Sequence, residues 1–380
     1  MSRLLPFLLF LAIALSLVAG MHYYVWARLV RDPQLPQAWA RAATGALVAL
    51  AIALPLALWL SRVAPGVRPL LWIAFVWMGV GFLLVAFLGL ADAGRFALWA
   101  ARKLGAPEGP ADPARRVLLA RTVAAGVGGV VAGLSAFGVR SALGAVDVKE
   151  LTIRLRGLPQ ALSGFRLVQI SDVHVGPLLR KEWVRGVVER IGSLSPDAVV
   201  ITGDLVDGTV DELREHVAPL ADLRASRGVF FSTGNHEYYS GVAQWLAHLP
   251  TLGIQPLSNR RVELAPGLDL AGIDDPTGAP DLARALEGRD PQRPVILLAH
   301  QPRQFPEAAL QKVDLTLSGH THGGQIWPFS WVVALAQPYL AGLHARGGSQ
   351  LYVSRGTGFW GPPLRVFAPA EITLLTLQPR

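Results

Sequence analysis

Four long apolar stretches near the N-terminus constrain the fold of this chain more than any other feature. Each is apolar for about the 20 residues that a helix needs to cross a lipid bilayer, and Arg121, near the start of the fourth stretch, is the one charged residue within the four. The stretches cover residues 4–26, 42–60, 70–90 and 117–139. Helices in a soluble core are rarely apolar over such lengths. The sequence therefore predicts a membrane region over residues 1–145 with four transmembrane helices.

A membrane region of this kind can transport a solute or anchor a second domain. Transport paths usually contain ionisable side chains within the membrane. Apart from Arg121, near the start of the fourth stretch, the four stretches contain no Asp, Glu, Lys or Arg, and His22 lies near the end of its stretch. We therefore predict that the membrane region is an anchor.

Positive charges are more frequent on one side of the predicted membrane region than on the other. The richer side carries Arg28, Arg31, Arg41, Arg95, Arg102, Lys103, Arg115, Arg116 and Arg121, and the other side carries Arg3, Arg62, Arg68 and Arg140. Cytoplasmic loops of membrane proteins carry an excess of Lys and Arg. The distribution predicts a multi-pass protein of the cell membrane whose C-terminal half lies outside the cytoplasm.

The composition changes after residue 145 to short β-rich runs that alternate with helical stretches and with loops of Gly, Pro, Asp and Asn. This pattern is typical of a globular α/β domain, here residues 146–380. The predicted strands are 165–170, 198–202, 229–232, 268–273, 295–299, 315–318, 351–353 and 372–377. The predicted helices are 181–193, 210–224, 241–249 and 281–286.

The net charge and the cysteine content limit which partners, metal sites and nucleophiles such a domain can have. The formal net charge is +8, but many basic residues flank the apolar stretches, so we expect no nucleic-acid partner. The sequence shows no sign of an obligate protein partner. It contains no cysteine, which excludes thiolate metal sites and thiol nucleophiles.

Polar side chains that can bind metal recur where five of the predicted strands end. The five segments are Ser171-Asp172-Val173-His174, Gly203-Asp204-Leu205-Val206-Asp207, Gly234-Asn235-His236-Glu237, Ala299-His300 and Gly319-His320-Thr321-His322. A single Asp-x-His is weak evidence, because an Asp after a strand is often a helix cap or a turn residue. Five such segments in order indicate that the side chains converge at one edge of a sheet, where open α/β folds place their sites.

The ligand types indicate the metals and the chemistry. Imidazole, carboxylate and amide oxygen without sulfur suit Mn, Fe or Zn. Two divalent ions at about 4 Å can activate water and stabilise the oxygens of a phosphoryl group during an in-line displacement. The nucleophile is then a hydroxide that bridges the metals, although Asp204 or Asp172 as a covalent nucleophile stays open.

The five segments resemble the signature blocks of the calcineurin-like metallophosphoesterase superfamily: D-x-H, G-D, G-N-H-E, a solitary His and G-H-x-H. The resemblance covers residues 146–380 and is greatest to the membrane-anchored bacterial YkuE-like branch. It implies two packed mixed β-sheets flanked by helices and two divalent metal ions. One ion would have the ligands Asp172, His174 and His322, the other would have Asn235, His300 and His320, and Asp204 would bridge them.

The same resemblance implies catalytic roles for two further residues. His236 would protonate the leaving group, and Asp207 would orient His236, although Asp207 as a solvated turn residue is the alternative. The sequence therefore predicts a membrane-anchored hydrolase of phosphate esters or anhydrides. A phosphodiester or pyrophosphate linked to a lipid is an attractive substrate, and soluble nucleotides are compatible too. The alternative function is a non-catalytic interaction protein on the same fold, which would be expected to have lost some of these ligands.

Overall fold

The computed structural model describes residues 4–60, 68–103 and 112–380. The chain divides into two compact units, Met1–Gly138 and Val139–Arg380. Arg3 and Arg62, two of the basic residues on the less positive side of the predicted membrane region, lie outside the described residues.

The first unit consists of apolar helices. They are α1 (Leu4–Trp26), α2 (Gln37–Leu60), α3 (Arg68–Lys103) and α4 (Pro113–Leu143), the last of which continues into the second unit. Within the part of the chain that the structure describes, four helices are long and apolar enough to cross a membrane, by length and composition. The four predicted apolar helices are thus confirmed as helices, and their orientation stays a prediction.

Helix α3 is longer than the apolar stretch that predicted it. Its 36 residues correspond to about 54 Å at the rise of an α-helix. Its C-terminal part contains Asp92, which accepts hydrogen bonds from Tyr24 Oη (2.8 Å) and from Arg28 Nε (2.9 Å). On the same pair of helices, Trp77 Nε1 donates to His22 Nε2 at 2.8 Å. Polar contacts therefore join α1 and the residues after it to α3.

The second unit contains two six-stranded mixed sheets. The strands of the first sheet, in spatial order, are β1 (Asp147–Leu155), β12 (Glu371–Pro379), β2 (Phe165–Ile170), β3 (Ala198–Thr202), β4 (Val229–Ser232) and β5 (Ile254–Pro256). The strands of the second, in spatial order, are β10 (Gly342–Arg346), β11 (Ser349–Val353), β9 (Leu315–Ser318), β8 (Val295–Leu298), β7 (Leu268–Gly272) and β6 (Arg260–Ala265). Strands β2 to β5 are parallel to one another, and so are β7, β8, β9 and β11.

The two sheets pack face to face and bury both faces of their central strands. In β3, Val200 belongs to an apolar cluster shared with strands of the second sheet, whereas Val199 and Ile201 belong to a cluster on the opposite face. In β8, Ile296 faces the shared cluster and Leu297 faces away from it. Alternation of buried residues on both faces explains why these strands are apolar without interruption.

Helices cover the outer faces of both sheets. The helices after β1 are α5 (Lys181–Gly192), α6 (Val210–Val217), α7 (Asn235–Tyr239), α8 (Val242–His248), α9 (Leu282–Ala285), α10 (Phe305–Leu310) and α11 (Phe329–Ala336), of which α11 buries no side chain. Ile191 of α5 and Trp245 of α8 pack on the first sheet, and Leu282 of α9 packs on the second. The predicted α/β class with two mixed sheets flanked by helices is confirmed.

Candidate metal centre

The five metal-binding segments of the sequence directly follow five parallel strands, namely β2, β3, β4, β8 and β9. Parallel strands end at the same edge of a sheet, so the loops after them meet. In these loops Asp172, His174, Asp204, His320 and His322 all have positive φ, between 51° and 71°. Residues other than glycine rarely adopt this conformation, and such strain clusters at functional sites. The backbone is therefore bent to direct these side chains inward.

The structure brings the predicted ligands together in two sets. The first set is Asp172, His174 and His322, and the second is Asp204, His300 and His320; within each set the ligand atoms lie within 4.8 Å of one another. Asn235 joins the second set, because its Oδ1 lies 3.1 Å from His320 Nδ1. All seven ligands predicted from the sequence thus lie in one cluster.

In the first set, ring nitrogens of two histidines face each other. His174 Nε2 and His322 Nε2 are 3.0 Å apart, and His322 Nε2 is 3.4 Å from Asp172 Oδ1. His174 Nδ1 donates to Asp207 Oδ1 at 3.0 Å, so the Nε2 of a neutral His174 presents a lone pair to the set. Burial holds the pKa of His322 well below its usual value, so His322 is neutral and also presents a lone pair. A cation fits this arrangement of facing lone pairs better than a hydrogen bond does.

The second set contains a buried nitrogen that lacks a hydrogen bond. His300 Nδ1 donates to Thr202 O at 2.7 Å. Its Nε2 has no hydrogen-bond partner among the described residues, although Asp204 Oδ2 lies 3.1 Å away. Burial opposes charge on His300, yet the carboxylates of Asp204 and Asp172 raise its pKa to about 10. The potential at this position is therefore strongly negative, as expected of a site that receives a cation, and the residues present fit a metal ion.

Backbone amides hold the two carboxylates in place. His320 N donates to Asp172 at 2.9 Å, and His236 N donates to Asp204 Oδ1 at 2.9 Å. Each amide comes from a different loop than the carboxylate it binds. The position of each carboxylate is consequently tied to that of a neighbouring segment.

Glu237 is a residue of the site whose function the sequence analysis missed. Its side chain is buried, and its carboxylate accepts hydrogen bonds from Gly234 N (2.7 Å), Leu205 N (2.7 Å) and Asp204 N (3.0 Å). Burial, followed by the charge of Asp204, raises the pKa of Glu237 to about 7. Glu237 therefore clamps the loop after β3 to the loop after β4. Its place as the last letter of Gly-Asn-His-Glu was the available signal.

Asp207 lies between two histidines. Its Oδ1 accepts from His236 Nδ1 at 2.6 Å and from His174 Nδ1 at 3.0 Å. Burial opposes ionisation, but His174 and His236 hold the pKa of Asp207 well below its usual value. His236 is partly exposed, and its Nε2 is 4.0 Å from Asp204 Oδ2. An ionised Asp207 thus orients one histidine of the ligand cluster and one histidine at its open side.

Arg365 is a second residue that the sequence analysis missed, and no motif signals it. It is fully buried, and it donates to the carbonyls of Gly358 and Ala368, each at 2.9 Å. Its Nη2 lies 3.3 Å from His322 Nδ1. Burial lowers the pKa of Arg365 to about 10, against the opposing effects of Asp172 and Glu371. The guanidinium therefore fixes the loop of residues 356–368 behind the first ligand set.

Exposed aromatic residues border the open side of the cluster. The rings of Tyr239 and Trp360 lie 5.4 and 5.9 Å from that of His236, and both residues are exposed. Two exposed aromatic rings therefore stand next to His236.

Comparison with known proteins agrees with the geometry. The family model described as calcineurin-like phosphoesterase matches residues 165–324, which include all five segments. An uncharacterized metallophosphoesterase of Helicobacter pylori is 44% identical over 61% of this chain, and the match spans 64% of that relative's length. A bovine transmembrane protein with a metallophosphoesterase domain is 38% identical over 80% of this chain and 73% of its own. The uncharacterized metallophosphoesterase YkuE of Bacillus subtilis is 33% identical over 61% of this chain and 86% of its own.

These matches place the chain in the calcineurin-like metallophosphoesterase family, as the motif order predicted. Its His and Asp residues form groups suited to holding metal ions. The four apolar helices and the bovine relative's name support a membrane protein.

Proposed function

We propose that the protein is a membrane-anchored phosphoesterase that hydrolyses phosphate esters or anhydrides. In this proposal residues 1–145 anchor the chain in the cell membrane, and residues 146–380 form a catalytic domain outside the cytoplasm. The observation that carries the proposal is the contact of His300 Nε2 with Asp204 Oδ2 at 3.1 Å, in which a buried nitrogen and a carboxylate oxygen face each other without a hydrogen bond.

The ligand sets support two divalent ions, and we propose Mn, Fe or Zn from their nitrogen and oxygen donors. Asp172, His174 and His322 would hold one ion, Asn235, His300 and His320 would hold the other, and Asp204 would bridge them. When bound, two such ions supply positive charge for the phosphoryl oxygens and lower the pKa of water so that it attacks phosphorus.

His236 is the proposed proton donor for the leaving oxygen. It lies at the open side of the cluster, and the hydrogen bond from its Nδ1 to Asp207 leaves Nε2 directed toward the site. Asp207 would stabilise the imidazolium from which the proton leaves. The shared hydrogen bond of Asp207 with His174 supports a positioning role over that of a solvated turn acid.

The substrate class that we propose is a phosphodiester or pyrophosphate carried by a lipid. Support comes from the four apolar helices and from the exposed rings of Tyr239 and Trp360 beside His236.

Metal analysis combined with an assay on bis-p-nitrophenyl phosphate tests the proposal. We expect the purified full-length protein to bind two divalent ions and to hydrolyse this ester. Asp204→Asn should lose both properties, whereas the control Asp211→Asn, which changes an exposed carboxylate on α6, should keep them. A metal-loaded protein without activity on any phosphate ester would instead indicate a non-catalytic interaction protein.

A further inference from the structure

Helix α11 is an apolar helix with no buried side chain. Phe329, Trp331, Val332 and Leu335 are all exposed, Leu335 by 89%. Helices at a water-exposed surface normally carry charged residues on the outer face. Here the whole segment of residues 315–345 contains no Asp, Glu, Lys or Arg. An apolar surface of this kind usually marks a contact with another molecule or with a membrane.

Phe367 extends this surface from a second segment of the chain. It is 66% exposed, and its ring lies 6.0 Å from that of Trp327, which lies 5.4 Å from Trp331. Its φ of 59° is unusual for a bulky residue. Backbone pairing fixes the two segments, because Trp327 N donates to Val366 O at 3.1 Å. We call the exposed side chains of Phe329, Trp331, Val332, Leu335 and Phe367 the α11 surface.

The α11 surface is rigidly connected to the metal-ligand cluster. Gly324, two residues after His322, packs so closely on α11 that a Cβ atom there would lie 2.4 Å from Ser330 Cα. The next residue, Gln325, donates from Nε2 to Trp360 O at 2.9 Å, and Trp360 stands beside His236. A contact made by α11 would therefore set the position of the site's open side.

The chain itself indicates which partner covers this surface. Helix α4 ends at Leu143 and β1 begins at Asp147, a connection that spans at most about 14 Å. A bilayer that holds α4 is therefore always within reach of the second unit. Tryptophan side chains favour the interface between lipid and water, and helices with an apolar face insert there.

We propose that the α11 surface inserts into the interfacial layer of the bilayer that holds the helices of the first unit. The insertion would place the open side of the metal site at the level of lipid phosphate groups. This inference rests on the membrane anchoring and the phosphoesterase activity proposed above, and it adds the surface by which a lipid-borne phosphate reaches His236.

Spin labels can measure the insertion directly, because the natural chain has no cysteine. Full-length Leu335→Cys protein is labelled and placed in nanodiscs of phosphatidylcholine and phosphatidylglycerol. Glu215→Cys, on an exposed position of α6, is the matched control. We expect the label at position 335 to collide with oxygen and to be shielded from a water-soluble nickel chelate, and the label at position 215 to show the opposite. Equal access of the chelate to both labels would overturn the proposal.

The same samples distinguish insertion of α11 into a bilayer from contact of α11 with a second copy of the chain. Two copies joined through α11 would bring two labels at position 335 close together, and strong dipolar broadening between them would overturn insertion. Absence of that broadening together with shielding from the chelate supports the bilayer.

Activity on two esters with the same leaving group tests the consequence for substrate access. The double variant Val332→Asp, Leu335→Glu should hydrolyse diacylglycerol p-nitrophenyl phosphate in nanodiscs about tenfold more slowly. Its rate on soluble bis-p-nitrophenyl phosphate should be unchanged, and the control Ala283→Asp, at an exposed position of α9, should affect neither rate. An unchanged rate on the lipid ester would overturn the inference. Failure of the unmodified protein on both esters would refute the proposed activity, while the spin labels would still decide insertion.

Discussion

Oδ1 of Asp207 lies 2.6 Å from Nδ1 of His236, and the same oxygen accepts a hydrogen bond from His174. One carboxylate therefore orients a proposed metal ligand and the proposed proton donor. Removing its charge should disturb both histidines while leaving the rest of the cluster intact.

We expect Asp207→Asn to lower kcat by about 10 to 100-fold with bound metal largely retained, since outer hydrogen-bond partners of metal ligands usually have effects of this size. Steady-state kinetics with metal analysis of the same sample measures both quantities. Full activity of the variant would show that Asp207 is only a turn residue.

His236→Ala should retain both metals and lose about 10² to 10⁴ in turnover of esters with poor leaving groups, the usual contribution of a general acid. The loss should shrink for p-nitrophenyl esters, because a good leaving group needs little protonation. A series of phenyl phosphodiesters of increasing leaving-group pKa measures this slope. A loss independent of the leaving group would argue against proton donation.

Gly203→Ala should abolish metal binding. A Cβ at Gly203 would lie 2.6 Å from both Gly234 N and His300 Nδ1, whereas a Cβ at Gly253 meets no atom of the described residues within 4 Å. Both glycines have positive φ, 82° and 75°, so Gly253→Ala controls for backbone strain of about 1 kcal/mol. Metal content and thermal unfolding of the two variants give the comparison. Equal metal content would mean that the loops are not packed against each other at Gly203.

Glu237→Gln should destabilise the protein and weaken metal binding. The carboxylate accepts hydrogen bonds from three backbone amides, and each buried donor left without a partner costs about 1 to 3 kcal/mol. Glu215→Gln, an exposed change on α6, is the control. Unfolding temperatures with and without added metal report the effect, and an unfolding temperature equal to that of the control would contradict the clamp.

Removal of metal by a chelator should lower the unfolding temperature of the second unit. Ligand binding to the folded state contributes about 3 kcal/mol when free ligand is 100 times its Kd. Readdition of Mn²⁺ or Zn²⁺ should restore stability in the unmodified protein and not in Asp204→Asn. Restoration in that variant to the same degree would show that Asp204 does not bind the ions.

The sequence predicted the buried parallel strands well, because both faces of these strands are apolar and their runs are unbroken. It missed β1, β5, β6 and β10, in which polar residues occupy exposed positions, as at Arg260 and Arg346. It also missed the short helix α7, whose residues are the Asn-His-Glu motif itself, and α10. Periodicity carries little information over five or six residues.

Of the site, the sequence analysis predicted the residues whose type reveals metal binding, and the structure brings all of them into one cluster. Arg365 was not predicted, because a buried arginine that donates to backbone carbonyls leaves no pattern in the sequence. Helix α11 was not predicted as an exposed surface, because its sequence pattern is clear but misleading. An apolar run normally predicts burial, and only the structure shows that Trp331 and Leu335 are exposed.

The requirements of stability and of the metal site conflict where the backbone is left-handed, at Asp172, His174, Asp204, His320 and His322. Each of these residues costs the folded chain about 1 kcal/mol or more in local conformation. Glycine would relieve that cost and remove the ligand in the same change. The free energy gained from bound metal must therefore outweigh this strain, so the stability of the folded second unit depends on the supply of metal ions.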